Sequence, residues 1–246
     1  MQRLNITGGE SLHWGELKMI EPISNLANIV KDIAASIDEL TVSTLVMTGM
    51  KDKLPLKLIG GSTIFLNAIR RRAYKLGIAL VEPVTEDEMA PFVIDLEVQK
   101  PDPDFSLADF PEDDIDACLN TDVWDLSCDA EACYNIIAAL THATPCKVGI
   151  IGRGHAVRGL PEALSREHYS VVQCHSKTPD VRTNVENCDI IVNASPVWTS
   201  FDTQNRIVLD VAYSVPEDCR NERVIHNVGL LTTSCVLYRA AIYYLL

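Results

Sequence analysis

Lys147-Val-Gly-Ile-Ile-Gly-Arg-Gly-His-Ala-Val-Arg-Gly-Leu-Pro161, followed by Ser170-Val-Val-Gln-Cys-His-Ser-Lys-Thr178, decides how this chain reads. Val148, Ile150 and Ile151 form a short apolar run that stops at Gly152-Arg153-Gly154, and a helical stretch through Leu164 follows. Val171-Val172 open a second β-branched run that ends in a polar, basic cluster. Strand, glycine turn, helix and strand in that order present backbone N–H groups and a helix N-terminus to a dinucleotide pyrophosphate. Bare glycines are weak evidence, and Gly159 comes two residues later than the usual third glycine. The flanking strands and helix carry the expectation of a bound nicotinamide nucleotide.

The end of the second strand separates the two common cofactors. An acid about 20 residues past the glycines would bind the ribose 2′-OH of NAD. This chain has His175-Ser176-Lys177-Thr178 there, with Arg153 inside the turn, a set that suits a 2′-phosphate. NADP is therefore expected, with NAD the alternative. Gly152, Arg153, Gly154 and Val157 are expected to cradle the pyrophosphate, and His175, Ser176 and Lys177 to face the adenosine ribose or its phosphate. The plainer reading of the second cluster is a polar turn after a strand.

With 246 residues and 47% hydrophobic composition, one large or two modest domains can each bury a core. A net charge of -13 argues against nucleic acid, which needs clustered cations. The one dense basic run, Arg70-Arg71-Arg72, reads as the solvated edge of a helix. No apolar stretch approaches the roughly 20 residues of a membrane span, and the first residues lack a signal peptide's charged start and apolar core. A soluble, cytoplasmic protein without membrane partners is expected. Eight cysteines lie scattered without a Cys-x2-Cys pair, so reduced thiols and no metal site are expected.

Outward from the glycine turn, the chain alternates helix and strand. Ile23, Leu26, Val30, Ile33, Ala34 and Ile37 recur at helical spacing, whereas the Val- and Thr-rich Leu40–Met47 reads as a strand. After Gly60-Gly61, Ser62 can cap a helix with the apolar face Phe65, Ile69, Ala73 and Leu76, which Gly77 ends. Ile78–Val81 and Phe92–Val98 read as strands, and the Pro- and Asp-rich Gln99–Asp116 as an irregular loop. Ala130–Leu140 resumes helical spacing, and Thr141–Lys147 is the best domain boundary. Val148–Ile151, Ser170–Cys174, Ile190–Val192 and Ile207–Val211 make four short strands, and Thr232–Leu246 a closing helix. The expected class is α/β.

These residues resemble the methylenetetrahydrofolate dehydrogenase/cyclohydrolase (FolD) family, which has a V-x-I-G-R-S-x-x-V-G-x-P turn and a C-H-S-K-T second strand. Cys174-His-Ser-Lys-Thr178 is intact here, Gly-Arg-Ser has become Gly152-Arg153-Gly154, and the proline, Pro161, arrives one residue late. Ser62-x-x-Phe65-x-x-x-Ile69 with Gly77-Ile78 matches the S-x-x-Y-x-x-x-K…G-I helix in spacing. Val98-Gln-Lys-Pro-Asp-Pro103, Pro111-Glu-Asp-Asp-Ile-Asp116, Cys188–Val192, Leu209–Val211 and Asn227-Val-Gly-Leu-Leu-Thr232 resemble further family segments.

The resemblance implies an N-terminal α/β folate domain, 1–142, joined by 230–246, facing a Rossmann-type NAD(P) domain, 143–229, in a homodimer. It places Gln99 and Asp116 at the substrate, where the family's glutamine supports a helix lysine and its aspartate holds the pterin ring. Phe65 and Ile69 stand where the family has the tyrosine and lysine of cyclohydrolase chemistry. Neither side chain can donate, accept or transfer a proton. Arg72, a turn further on, could supply charge but no proton near neutral pH.

Hydride transfer is carried by the cofactor, so it can survive the loss of the lysine. An NADP-preferring dehydrogenase with weak or absent cyclohydrolase activity is expected. A non-catalytic nucleotide- or folate-binding descendant is the alternative, and a dehydrogenase of another substrate a third, since Lys100 and Asp102 replace apolar residues of the substrate loop. His155 reads as a helix cap, His226 as structural and Asp210 as a turn acid. Trp14, Trp124 and Trp198 read as isolated packing residues.

Overall fold

The computed structural model describes residues 26–59, 63–81, 90–94, 114–116 and 125–245. Gln99, Lys100, Asp102, Ser62, Trp14 and Trp124 lie outside the described residues. Helix α1 runs over Leu26–Thr48. It absorbs Leu40–Met47, which sequence patterning reads as a strand. The β-branched residues there favour strands locally, but Thr41 and Thr44 continue the buried stripe of Ile33, Ile37 and Leu45 at helical spacing. The Thr41 hydroxyl donates to the Ile37 carbonyl at 2.8 Å, so even its polar atom is satisfied inside the helix.

Two short parallel pairs follow. Strand β1, Leu54–Pro55, pairs with β3, Leu80–Val81, while β2, Lys57–Ile59, pairs with β4, Phe92–Ile94. Between them lies α2, Ile64–Lys75, whose N-cap is Thr63. The Thr63 hydroxyl accepts the Leu66 N–H at 3.2 Å, the role that sequence reading gave to Ser62. Leu66, Ile69 and Ala73 form the buried face of α2, with Phe65 half-buried beside them. Arg72 turns inward to an ion pair with Asp38 on α1, so it is neither a solvated edge nor a spare charge.

Helix α3, Cys128–Thr141, is capped by Ser127, whose hydroxyl accepts the Ala130 N–H at 3.2 Å. Two residues in the left-handed region, His142 and Ala143, then lead past Pro145 into β5, Lys147–Ile151. With β6, Ser170–Cys174, β7, Ile190–Asn193, β8, Ile207–Asp210, and β9, Val224–Ile225, this strand forms a fully parallel sheet in the order β6-β5-β7-β8-β9. Two-residue β9 leaves no readable sequence pattern. A parallel sheet covered on both faces needs near-continuous apolar strands, and every residue of β7 is buried.

Val148, Ile150, Ile190, Val192 and Leu209 face a core shared with α3 and with helix α4, Leu160–Arg166. Ile151, Ile191 and Val208 face a second core with Val185 of helix α5, Val181–Val185. Trp198 is not isolated: its ring lies 4.5 Å from that of Phe201, on the second core.

The closing helix α6, Val228–Tyr243, starts earlier than the sequence suggests, so Asn227–Thr232 is its cap and first turn. It packs back on α1, α2 and α3, away from the five-stranded sheet that precedes it in the chain. Arg239 locks it there, donating to Glu131 of α3 at 2.8 Å and to the Ile115 carbonyl at 2.9 Å. Two α/β units joined by this return form the fold. Among the described residues no helix is long and apolar enough to cross a membrane.

Candidate functional site

The order β6-β5-β7 means that the chain leaves β5 to one side and returns on the other, opening a crevice at the carboxyl ends of β5 and β7. Gly152 sits at its lip with φ +130. A side chain there would need a backbone conformation that L residues rarely adopt, and its Cβ would meet the Ala194 carbonyl at 3.1 Å. The Gly152 N–H donates to the Cys174 carbonyl at 2.8 Å, and its own carbonyl accepts the Gln173 amide at 3.0 Å. The glycine turn and the end of β6 are therefore held together. Nothing lies within 4 Å of a Cβ built on Gly154, so the space above the second glycine is open.

Beyond the turn the geometry departs from expectation. Residues His155–Val157 form a 3-10 turn, and α4 begins at Leu160 behind Gly159. The two extra residues before Gly159 are absorbed by that turn, so the α4 N-terminus is displaced from Gly152. Gly159 has φ +78, and a Cβ on it would lie 1.9 Å from the Asp125 carbonyl. Val157 is 1% exposed, and its N–H is spent on the Gly154 carbonyl at 3.2 Å. It anchors the turn from beneath. Arg153 and Gly154 are exposed.

In the loop after β6, the His175 N–H donates to the Thr178 hydroxyl at 2.9 Å, and the His175 Nδ1 accepts the Lys177 N–H at 3.1 Å. His175 and Thr178 thus shape the loop, while Ser176 and Lys177 are exposed on the same edge of the sheet as Arg153.

Asp116 is 3% exposed, in a short described segment of residues 114–116. Its Oδ1 accepts the Cys128 N–H at 2.9 Å, and its Oδ2 lies 3.3 Å from the His155 Nε2. Burial opposes the charge on Asp116, but the His155 hydrogen bond and charge, the Cys128 N–H and Arg239 outweigh it and hold the carboxyl below its usual range. Burial likewise opposes a proton on His155, and the two acids Asp116 and Asp129 outweigh it, so its pKa is raised. His155 is thus no helix cap; it is the partner of Asp116.

Asp129, in the first turn of α3, is half-buried and accepts the Thr232 hydroxyl at 2.7 Å. Burial and repulsion from Asp116 push it up to about 6. The Tyr213 hydroxyl reaches the first turn of α6, accepting the Gly229 N–H. Sequence reasoning passed over Asp129, which looks like an ordinary first-turn acid, and over Tyr213. Thr232 carried a signal, since it ends the Asn227–Thr232 segment. At the same sheet edge Asp210 accepts the Asn193 amide at 2.9 Å and the N–H groups of Ser214 and Val215, and lies 3.2 Å from the His226 Nδ1. This is the turn acid and structural histidine that the sequence suggests.

Phe65 and Ile69 offer these groups no polar atom. Ile69 has no exposed surface and belongs to the core. Among the described residues no cluster of His, Cys, Asp and Glu could hold a metal ion.

No family model matches the chain. The bifunctional protein FolD of Pseudothermotoga lettingae is 32% identical over an alignment of 135 residues that covers 46% of this chain and 49% of that protein. The matched stretch spans about half the length of such curated relatives. The fold is that of a 5,10-methylenetetrahydrofolate dehydrogenase from the silkworm Bombyx mori, with a TM-score of 0.69 at 16% identity over 87% of this chain and 96% of that one. A Trypanosoma brucei methylenetetrahydrofolate dehydrogenase-cyclohydrolase, solved with NADP and an inhibitor, superposes with a TM-score of 0.62 at 19% identity, covering 89% and 95%. The chain is a divergent FolD-like protein. Within this FolD-like frame, residues 65 and 69 carry no proton chemistry, and the titratable groups gather instead around Asp116, Asp129 and His155.

Proposed function

We propose that the chain is a nicotinamide-nucleotide-dependent oxidoreductase of the methylenetetrahydrofolate dehydrogenase type, preferring NADP, with weak or absent cyclohydrolase activity. The observation that carries this reading is the lip of the crevice. Gly152 is wedged against Ala194 with open space above Gly154, and Arg153, Ser176 and Lys177 are exposed on that edge. The residues present fit a dinucleotide: backbone at the turn for the pyrophosphate, Arg153 for its charge, Ser176 and Lys177 for a ribose phosphate. When bound, the nicotinamide would supply the hydride acceptor. The protein's part is to hold the two ligands and exclude water.

Weak or absent cyclohydrolase activity is supported by the chemistry of α2. Phe65 and Ile69 have no donor or acceptor, and Ile69 is sealed in the core. Gln99 keeps its expected place at the substrate in this reading, and Asp116 the ring-holding role. The division into 1–142 with 230–246, and 143–229, belongs to the same proposal, as do a cytoplasmic location and a homodimer. Sedimentation that returned a monomer would end the dimer.

The engagement of Asp116 by His155 and the Cys128 N–H favours a second reading, a nucleotide- or folate-binding protein without turnover. The deciding experiment is calorimetric titration with NADP and NAD, followed by an absorbance assay with NADP and methylenetetrahydrofolate. Tight NADP binding with turnover supports the enzyme. Binding without turnover selects the second reading, and binding of neither nucleotide overturns both.

A further inference from the structure

We infer that His155 is an intramolecular occupant of Asp116, withholding this carboxylate from a ligand while the imidazole carries a proton. The inference rests on the reading of Asp116 as the group that meets the substrate ring. Two facts of geometry carry it. Both oxygens of Asp116 have partners within the chain, the Cys128 N–H at 2.9 Å and the His155 Nε2 at 3.3 Å. The carboxylate is also nearly sealed, and the imidazole takes up the hydrogen-bonding side of its Oδ2. The histidine comes from the other unit, one residue after the open glycine, so the side chain that blocks Asp116 is mounted on the nucleotide turn itself.

The charged groups facing His155 fix the direction of its control. Asp116 and, from α3, Asp129 favour the imidazolium, while Arg158 at the end of the 3-10 turn opposes it. Loss of the proton turns a charged hydrogen bond to Asp116 into a weaker neutral one, so a ligand donor competes more easily for the carboxylate. His155 therefore tunes specificity: a donor-bearing ring binds less tightly at lower pH and more tightly at higher pH. An acceptor on the ligand gains nothing from this release, so the chemical class admitted is a heterocycle that offers N–H groups.

The test uses the full chain and two measurements. First, the His155 ring is titrated by NMR in the wild type and in Asp116→Asn. The inference expects the wild-type pKa above the usual histidine value and a fall toward it in the variant. Identical titration in the two proteins overturns the inference. Second, 5-formyltetrahydrofolate binding is measured at pH 6 and pH 8 in the wild type, His155→Ala and His155→Gln, each checked for a cooperative melt. His155→Ala should bind about tenfold more tightly than wild type at pH 6, with a smaller gain at pH 8. His155→Gln, which keeps a donor without charge, should fall between them and lose the pH dependence. Equal affinity of wild type and His155→Ala at both pH values overturns the inference. Absence of folate binding in all three proteins, with the NMR difference intact, overturns the folate reading instead and leaves the His155–Asp116 engagement standing.

Discussion

Helix α2 and the junction around Asp116 are built in opposite ways. The α2 face is apolar and closed: Ile69 has no exposed surface, and Leu66 and Ala73 flank it in the core. The junction is polar and crowded. Asp116, Asp129, His155, Thr232 and the Tyr213 hydroxyl arrive from separate segments, and Arg239 reaches the adjoining Ile115 carbonyl. Packing explains why the two diverge. Apolar side chains on one helix face need no polar partners, whereas the junction's groups satisfy one another, and deleting one side chain outright leaves a buried partner unsatisfied.

The sharpest way to break this contrast is Ile69→Lys. An amine at a fully buried position must shed its proton or drag water inward, costing about 4 kcal/mol at pH 7. Urea unfolding should show the loss, and a variant as stable as wild type would mean that the α2 face is open to solvent. Gly159→Ala comes next, at about 3 kcal/mol, because the left-handed backbone and the Asp125 carbonyl both oppose a Cβ. Its melting temperature should fall well below that of Gly154→Ala, where space is open.

The junction's acids should then separate by sign. Asp129 has its carboxyl raised to about 6, so ionising it works against folding as pH climbs from 3.8 through 6. Asp129→Asn should stabilise the protein by about 1–2 kcal/mol at pH 7.5, with the gain vanishing near pH 4. Asp116 is held low, so its contribution is present above 3.8 and is lost as pH falls through its folded pKa. His155 is held high, and its contribution is present below 6.5 and lost as pH rises through its folded pKa. The pair therefore stabilises most between about pH 4 and 6.5, and Asp116→Asn should lower stability there. Denaturation curves across pH 4–8 that moved the two variants in the same direction would erase the distinction. The smallest effect belongs to the sheet edge: Lys177→Ala should weaken NADP about fivefold and leave NAD unchanged by calorimetry.

Much of the sheet was legible because its strands are buried on both faces and read as plain β-branched runs, as at Val148–Ile151 and Ile190–Val192. Leu40–Met47 misled for the same reason: its residues prefer strands, and only the stripe continuing from α1 makes them helical. Gly152 and the exposed Ser176 and Lys177 lie where the local pattern suggested. The pairing of Asp116 with His155 had no local signature, since 39 residues separate the partners and neither residue's neighbours betray the contact. Asp129 was illegible in another way, because an acid in the first turn of a helix normally points to water.

The return of α6 to the front of the molecule bears on how a ribosome delivers this protein. Val30, Ile33 and Leu66 emerge before the sheet, yet the layer that shields them includes Leu231, Cys235 and Ala240, which are translated after it. The five-stranded sheet can close on its own contiguous stretch while the first segments wait with apolar surface uncovered. Nascent chains stalled before residue 228 should therefore recruit chaperones through the uncovered faces of α1 and α2.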